Sequence, residues 1–152
     1  MKLAEALLQR KELLTKVNQL GSRTLQDALV QEGDEPAENP LELLAEQQSA
    51  IEELESIITR INKTNITNEI ERGITIADAI VKRDMLNLRR GTLERLSNQA
   101  NITQSRMTKS EIKFVATVDV KEIRKECDAV SKQIRELDAE IQAANWNVEL
   151  VE

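Results

Sequence analysis

The sequence predicts an all-α fold, in which long antiparallel helical hairpins form a four-helix, coiled-coil-like bundle with a small β-hairpin and one or two short strands in the connections. The first observation is composition: 40% of the 152 residues are hydrophobic and 32% charged, but only four are glycine and two proline, which is typical of long-helix proteins. The second is that apolar residues recur at alternating steps of three and four. The third is that helix-start signals precede these stretches. At this length we expect a single helical domain over residues 1–152.

The aromatic content is very low, since Phe114 and Trp146 are the only aromatic residues. Aromatic side chains bury large areas, so a core built without them must be thin. Thin helical cores gain by being shared between subunits, and we therefore expect a homo-oligomer. We expect Trp146 to dock the last helical turn onto a neighbouring helix or subunit.

Missing residue types narrow the classes of function. The chain has no histidine, which removes the commonest general base and the commonest metal ligand. Its single cysteine, Cys127, cannot form an intrachain disulfide and suits a reducing compartment. Cys127 lies on an apolar seam between two acids, where we expect a structural thiol rather than a nucleophile. We predict a non-enzymatic protein with no cofactor and no metal.

Charge and hydropathy bear on location and partners. The amino-terminal stretch is interrupted by charges, and no run approaches the roughly 18 apolar residues of a membrane helix. The net charge is −6, and the basic stretch lacks the aromatic residues on which bases stack. We therefore expect a cytoplasmic protein that binds neither nucleic acid nor membrane.

The charges are unevenly distributed along the chain. Residues 31–59 contain nine acidic residues and no basic one, whereas residues 82–125 contain eleven Lys or Arg against five Asp or Glu. Such a chain can pair with itself, within one subunit or between neighbours. The alternative is two solvated helix faces that happen to differ in sign.

The clearest predicted helix runs from Val120 to about Asn145. Asp119 is placed to cap its first turn, with Glu122 three residues on in the manner of a capping box. After the first step the apolar positions form a heptad seam: Val120, Ile123, Cys127, Val130, Ile134, Leu137, Ile141 and Ala144.

Two further helices are predicted in the first half of the chain. The first begins close to Lys2, and Arg10 interrupts its apolar stripe. That stripe contains Leu3, Leu7, Leu14 and Val17, broadened by Ala6, Leu13 and Leu20. The second starts with Asn39 as N-cap and Pro40 in the first turn, and ends in the sequence NKTNITN. Its predicted apolar face contains Leu41, Leu44, Ile51, Leu54, Ile58 and Ile61.

A small β-hairpin is predicted between the second and third helices. Ile70 and Ile74 flank a three-residue turn signal in which Gly73 can adopt the left-handed conformation. The third helix follows, with Thr75 as N-cap and Asp78 in its first turn. Its predicted inward residues are Ile76, Ala79, Ile80, Leu86, Leu93 and Leu96.

Alternation of apolar and polar residues predicts one more strand, over residues 112–118. It could pair with Leu29–Gln31, which we expect to be extended. Between Ala100 and Ser110 the sequence is polar and predicts a loop.

A polar cluster stands out around the predicted turn between the second and third helices. Arg60, Asn62 and Asn65 end one helix, and Arg83 and Asp84 lie about two turns into the next. Two guanidinium groups with amides could form a pocket for an anion or a carboxylate. Alternatively, the amides cap a helix corner and Arg83 pairs with an acid, which fixes the register of the hairpin.

Several motifs, in this order, resemble those of a family of small bacterial proteins of unknown function, some of them labelled septicolysin. The motifs are MKLAEALLQRKELL, VQEGDEPAENPLELLAE, RINKTN, GITIADAIVKRDML, SEIKFVATVDV and ANW. The resemblance spans nearly the whole chain and implies a soluble helical protein without an established activity. Within the matching motifs we nominate six polar positions as a candidate binding or structural cluster: Arg10, Arg60, Asn62, Asn65, Arg83 and Asp84.

We therefore predict a non-enzymatic, self-associating helical interaction or scaffold protein. The alternative is a module that binds an anion or an acidic partner through the Arg and Asn cluster. The septicolysin label would imply a third function, that of a pore-forming cytolysin. The frequent charges on every predicted helix argue against this function.

Overall fold

The computed structural model describes residues 1–101 and 112–152 of the chain. Within these ranges the regular structure consists of four helices and one two-stranded hairpin. In chain order the elements are α1 (Leu3–Gln26), α2 (Pro40–Thr67), β1 (Glu69–Glu71), β2 (Ile74–Thr75), α3 (Ile76–Gln99) and α4 (Val120–Asn147). The predicted all-α architecture with a small β-hairpin is confirmed.

The chain divides into two compact units. The first contains Met1–Thr75 and Ala143–Glu152, and the second contains Ile76–Gln142. The last residues of α4 thus belong to the first unit and the remainder of that helix to the second. The single domain over residues 1–152 stays a prediction.

In the first unit, α1 and α2 form an antiparallel hairpin with an aliphatic interior. Leu20, Leu43 and Ala50 form a buried cluster, and Val17 packs against it. Gln47 Nε2 donates a hydrogen bond of 3.0 Å to the carbonyl oxygen of Val17. The two helices are thereby joined by apolar packing and by a polar bond at the same level.

The buried face of α2 is not the predicted one. Its buried residues are Leu43, Ala50, Ile57, Ile61 and Thr64. Of the six residues predicted to face inward only Ile61 is fully buried, and Leu41, Leu44 and Ile51 are exposed. The reason is that two seams of heptad spacing run along α2, and α1 covers the one that contains the small side chain of Ala50.

A smaller correction applies to α1. Its buried residues are Leu3, Ala6, Leu13 and Leu20, so Leu14, which we placed on the apolar stripe, lies outside it and is exposed.

The two ends of the described chain are bonded to each other. The Leu3 amide donates to the Val148 carbonyl oxygen at 3.0 Å, and the Leu150 amide donates to the Met1 carbonyl oxygen at 2.8 Å. The Glu149 carboxylate lies 2.7 Å from Lys2 Nζ and 3.1 Å from the terminal amine. Hydrogen bonding from Lys2, and then from the terminal amine, lowers the pKa of Glu149 below its ordinary value.

The predicted start signals act as expected. Asn39 Oδ1 accepts a hydrogen bond of 3.0 Å from the Leu41 amide, and α2 begins at Pro40. Asp119 Oδ1 accepts from the Lys121 amide at 3.0 Å and from the Glu122 amide at 3.4 Å, at the start of α4. These oxygen atoms satisfy amides that lack a partner in the first helical turn.

The predicted hairpin is also present. β1 and β2 pair antiparallel, with Glu69 opposite Thr75 and Glu71 opposite Ile74. Gly73 has φ +81°, the left-handed conformation that glycine adopts without a steric penalty. Its amide donates to Glu69 Oε2 at 3.1 Å, which fixes the turn. α3 begins one residue after Thr75, as predicted.

In the second unit, side chains join α3 to α4 in an antiparallel arrangement. Arg83 lies close to Asp138, and Arg89 forms an ion pair with Glu126. The predicted seam of α4 is confirmed: Val130, Ile134 and Ile141 are buried, and the other seam residues are partly buried.

The strand predicted over residues 112–118 does not form. These residues are irregular, and Ile112, Phe114 and Val115 are exposed; Leu29–Gln31 is likewise not a strand. Alternating residues become a strand only where another strand supplies hydrogen-bond partners, and no described residue pairs with this segment. Most of the loop predicted between Ala100 and Ser110 lies outside the described residues.

Candidate functional site

Arg60, the first member of the predicted polar cluster, is bonded to the C-terminal segment. Its Nε donates to the Val151 carbonyl oxygen at 2.9 Å. Thr64, one turn further along α2, accepts a hydrogen bond from the Val151 amide at 3.0 Å and donates to the Arg60 carbonyl oxygen at 2.8 Å. Thr64 is fully buried. Arg60 and Thr64 together hold both polar backbone groups of Val151.

The other cluster members of the first unit are less engaged. Asn62 and Arg10 are exposed, and Asn65 is half-buried. None of these three side chains has a hydrogen bond or an ion pair with the residues that the structure describes. They therefore remain available to a ligand or a partner.

Arg83 and Asp84, in the second unit, pair with each other. Arg83 Nη2 and Nε donate to Asp84 Oδ1 at 2.9 and 3.1 Å, and Nη1 lies 3.5 Å from Asp138 Oδ1. The hydrogen bond that Arg83 donates to Asp84 is the main reason that the pKa of Arg83 is raised above its ordinary value. The structure thus brings Arg83 and Asp84 together and adds Asp138 to the pair.

Cys127 lies beside a cleft between α3 and α4. Its Sγ is 4.0 Å from the Arg90 carbonyl oxygen, and the thiol is half-buried. The cleft has a volume of about 520 Å³, and its charged lining residues are Arg90, Arg124, Glu94 and Asp128. Positive and negative side chains are present in equal number, so the lining carries no net charge that would select an anion.

The structure leaves a second seam of α2 uncovered. Leu41, Leu44 and Ile51 are exposed on one side of the helix, at steps of three and seven residues. We call these three residues the α2 outer face. The opposite side of α2 packs on α1, so α2 is apolar on two sides, and only one of them has a partner within its unit.

An exposed apolar stripe also runs along α3. Val81, Met85 and Leu88 are exposed at steps of four and three residues, the spacing that keeps side chains on one side of a helix. We call these residues the α3 outer face. An apolar stripe on a surface helix usually faces a core or a partner.

Charged side chains accompany each outer face. Glu52 and Glu55 each follow a leucine of the α2 outer face, Leu41 and Leu44, by three helical turns, and both acids are exposed. Lys82 lies at the edge of the α3 outer face, next to Met85, and Arg95 lies two turns after Leu88. None of these four charges forms an ion pair within the described ranges.

Comparison with known proteins places the chain in a family. A family model described as "Family of unknown function (DUF6847)" matches residues 10–150. The chain belongs to this family. A crystal structure described as that of a functionally unknown conserved protein from Corynebacterium diphtheriae is 44% identical, with 99% of each chain covered and a TM-score of 0.93. No protein with a curated functional description matches the chain.

The predicted membership of a bacterial family of unknown function is therefore confirmed. Neither the description of this family nor that of the similar crystal structure carries the label septicolysin. As far as the chain is described, none of its helices combines the length and the apolar character that crossing a membrane requires.

Sequence reasoning missed three participants in these contacts. Asp138 follows Leu137 on the seam of α4, so antiparallel pairing of α3 and α4 could have suggested it as a partner of Arg83. Thr64 resembled the other turn-forming residues of its segment, and nothing marked it as buried. The backbone of Val151 gives no signal in a sequence, since any residue presents the same amide and carbonyl groups.

Proposed function

We propose that this protein is a non-enzymatic, self-associating helical interaction protein. The observation that carries the proposal is the α2 outer face, a second apolar seam on a helix whose first seam is already buried against α1. A helix that is apolar on two sides is stable in water when both sides are covered. A second copy of the chain provides the missing cover.

Burial of apolar side chains provides the energy for this association, as it does for a thin core that is shared between subunits. Fully burying an aliphatic side chain contributes about 1.5–3 kcal/mol relative to exposure. The side chains of the α2 outer face are partly shielded by their own helix, so covering them contributes less than this, roughly 1 kcal/mol each. The α3 outer face adds three more side chains of the same kind. These side chains favour association but do not alone account for a micromolar dissociation constant, which corresponds to about 8 kcal/mol. Polar contacts supply the remainder and offset the loss of translational and rotational freedom on association.

Leu44→Asp tests the proposal, because it places a charge within the α2 outer face. Leu14→Asp is the matched control: the two leucines are exposed to nearly the same extent, 47% and 50%, but Leu14 lies on α1. We expect sedimentation equilibrium to show that the wild-type chain and Leu14→Asp associate. Leu44→Asp should have a dissociation constant at least roughly tenfold higher. A wild-type chain that stays monomeric up to millimolar concentration contradicts the proposal.

The second proposal is a module that binds an anion or an acidic partner through Arg60, Arg83 and the neighbouring asparagines. Asn62 and Asn65, which are without partners in the described residues, support it. It stands second because Arg60 is occupied by Val151 and Arg83 by two acids. Pore formation stands third, because it rests on the septicolysin label alone.

Arg83→Ala separates the second proposal from a structural role. Arg83 is partly exposed, and exposed ion pairs contribute little to stability, so we expect the melting temperature of the free protein to change only slightly. If the cluster binds an anion, one of a panel of phosphates, nucleotides and carboxylates stabilises the wild-type protein and fails to stabilise the variant. A large loss of stability without any ligand effect indicates a structural role.

We further propose a cytoplasmic location and no nucleic-acid or membrane partner. The support is the lone cysteine, which suits a reducing compartment, the net charge of −6, and the absence of stacking aromatics from the basic stretch.

A further inference from the structure

We propose that the partner of the α2 outer face is the α3 outer face of a second copy of this chain. This inference rests on the proposed self-association and adds to it which two surfaces meet. It follows from the spacing of the apolar residues and from the sign of the charges beside them.

The spacing of the two faces is compatible. The seam that contains the α2 outer face continues at alternating steps of three and four through Gln48, Glu55 and Ile58, and the α3 outer face continues to Thr92. Helices with this repeat pack with the side chains of one between those of the other. Each face therefore fits a helix with the same repeat, and either face of the second copy would satisfy the geometry alone.

The charges decide between these alternatives. Residues 31–59 include most of α2 and contain nine acidic residues and no basic one. Two α2 outer faces in contact would bring Glu52 and Glu55 against the same acids of the second copy, and like charges across an interface are unfavourable. The α3 outer face instead offers Lys82 and Arg95. Both are exposed and without an ion pair in the described part of the chain.

The contact between two unlike faces sets the form of the assembly. If two copies are related by a two-fold axis, each α2 outer face meets an α3 outer face and the assembly closes as a dimer. Otherwise the same contact repeats from copy to copy, and the assembly closes as a ring or extends as a filament, depending on the rotation between copies. In both cases one contact type is sufficient, and reversing the charge of either face weakens it.

Charge reversal tests the pairing with two variants of the full chain. One carries Glu52→Lys and Glu55→Lys, and the other carries Lys82→Glu and Arg95→Glu. We expect each variant alone to associate roughly tenfold more weakly than the wild type, because each then has two faces of like charge. Mixed at equal amounts, the two variants form a complex that contains both, since each face again meets the opposite charge. Sedimentation velocity, with one variant labelled, measures this.

Glu42→Lys with Glu53→Lys is the control for net charge. It changes the charge of α2 by the same amount as the first variant, but both residues lie on the opposite side of the helix from the α2 outer face, and both are exposed. We expect this control to associate like the wild type. Circular dichroism checks that every variant is folded; if a double variant is not, the single changes Glu55→Lys and Arg95→Glu give the same comparison.

The possible results are distinct. Restored association in the mixture supports the inference. If the Lys82→Glu, Arg95→Glu variant associates like the wild type, the α3 outer face is not the partner and the inference is wrong, while the proposed self-association stands. If the wild type does not associate at any concentration, the proposed function itself is wrong.

Discussion

Replacing Ile61 with alanine is expected to lower the free energy of unfolding by about 2–5 kcal/mol, the usual cost of removing a large buried aliphatic side chain. Ile61 is 1% exposed and is among the largest fully buried side chains. The substitution removes apolar contacts in the first unit and leaves a cavity that neighbouring helices fill only in part. Urea unfolding followed by circular dichroism measures the change.

Ile66→Ala is the matched control for this substitution. Ile66 lies on the same helix, only five residues further on, but it is 64% exposed. We expect the control to change the free energy of unfolding by less than about 1 kcal/mol. Equal losses for the two variants would mean that the buried side of α2 has been assigned wrongly.

Replacing Thr64 with valine is expected to lower the free energy of unfolding by about 1–3 kcal/mol, although the two side chains have nearly the same shape. The hydroxyl of Thr64 accepts the hydrogen bond of the Val151 amide, and valine has no acceptor. This hydrogen bond is partly buried, and an amide that loses its partner in such a place costs part of its desolvation energy. The expected cost therefore lies toward the lower end of this range. The melting temperature of the variant should fall accordingly, and amide exchange near Val151 should become faster.

Thr67→Val provides the comparison. The Thr67 hydroxyl donates to carbonyl oxygens of its own helix, those of Lys63 and Thr64. The one hydrogen bond that it accepts within the described residues comes from the adjacent Asn68 side chain at 3.3 Å, at an exposed position. We expect little change in stability. If Thr64→Val were as mild as Thr67→Val, the contact between α2 and the C-terminal segment would contribute nothing measurable.

The sequence was sufficient to predict those elements whose signals agree with one another. α4 has one seam without interruption, an aspartate at the cap and no competing pattern, and the structure places Val130, Ile134 and Ile141 inside as predicted. The β-hairpin could be predicted for a similar reason, since Gly73 is the residue that permits its turn. Local rules decide such features, and they act without knowledge of the rest of the fold.

The buried side of α2 could not be predicted in the same way. Two seams have suitable spacing, and the exposed one contains large residues such as Leu41 and Ile51, so hydrophobicity favours it. The buried seam contains Ala50 and Thr64, which count for little in such a pattern. Only the position of α1 decides which seam is covered, and that position is a tertiary property.

The contacts of the candidate site also depend on tertiary structure and could not be predicted from the sequence alone. The sequence identified Arg60, Arg83 and Asp84 as unusual. However, the partner of Arg60 is a backbone carbonyl 91 residues away, and Arg83 also lies close to an aspartate on another helix. The spacing of residues along the chain does not show that these groups lie close together in space. The strand predicted over residues 112–118 failed for a related reason, because alternation describes one strand and does not supply its neighbour.

The single tryptophan has a practical consequence. Trp146 is 63% exposed in the last turn of α4, and the chain contains no tyrosine. Its intrinsic fluorescence therefore comes from one solvent-facing indole, and the emission maximum reports on that point of the surface alone. A binding partner that covers the end of α4 shifts the emission to shorter wavelengths without any added label, and quenching by iodide then measures how much of the indole is still reached by solvent.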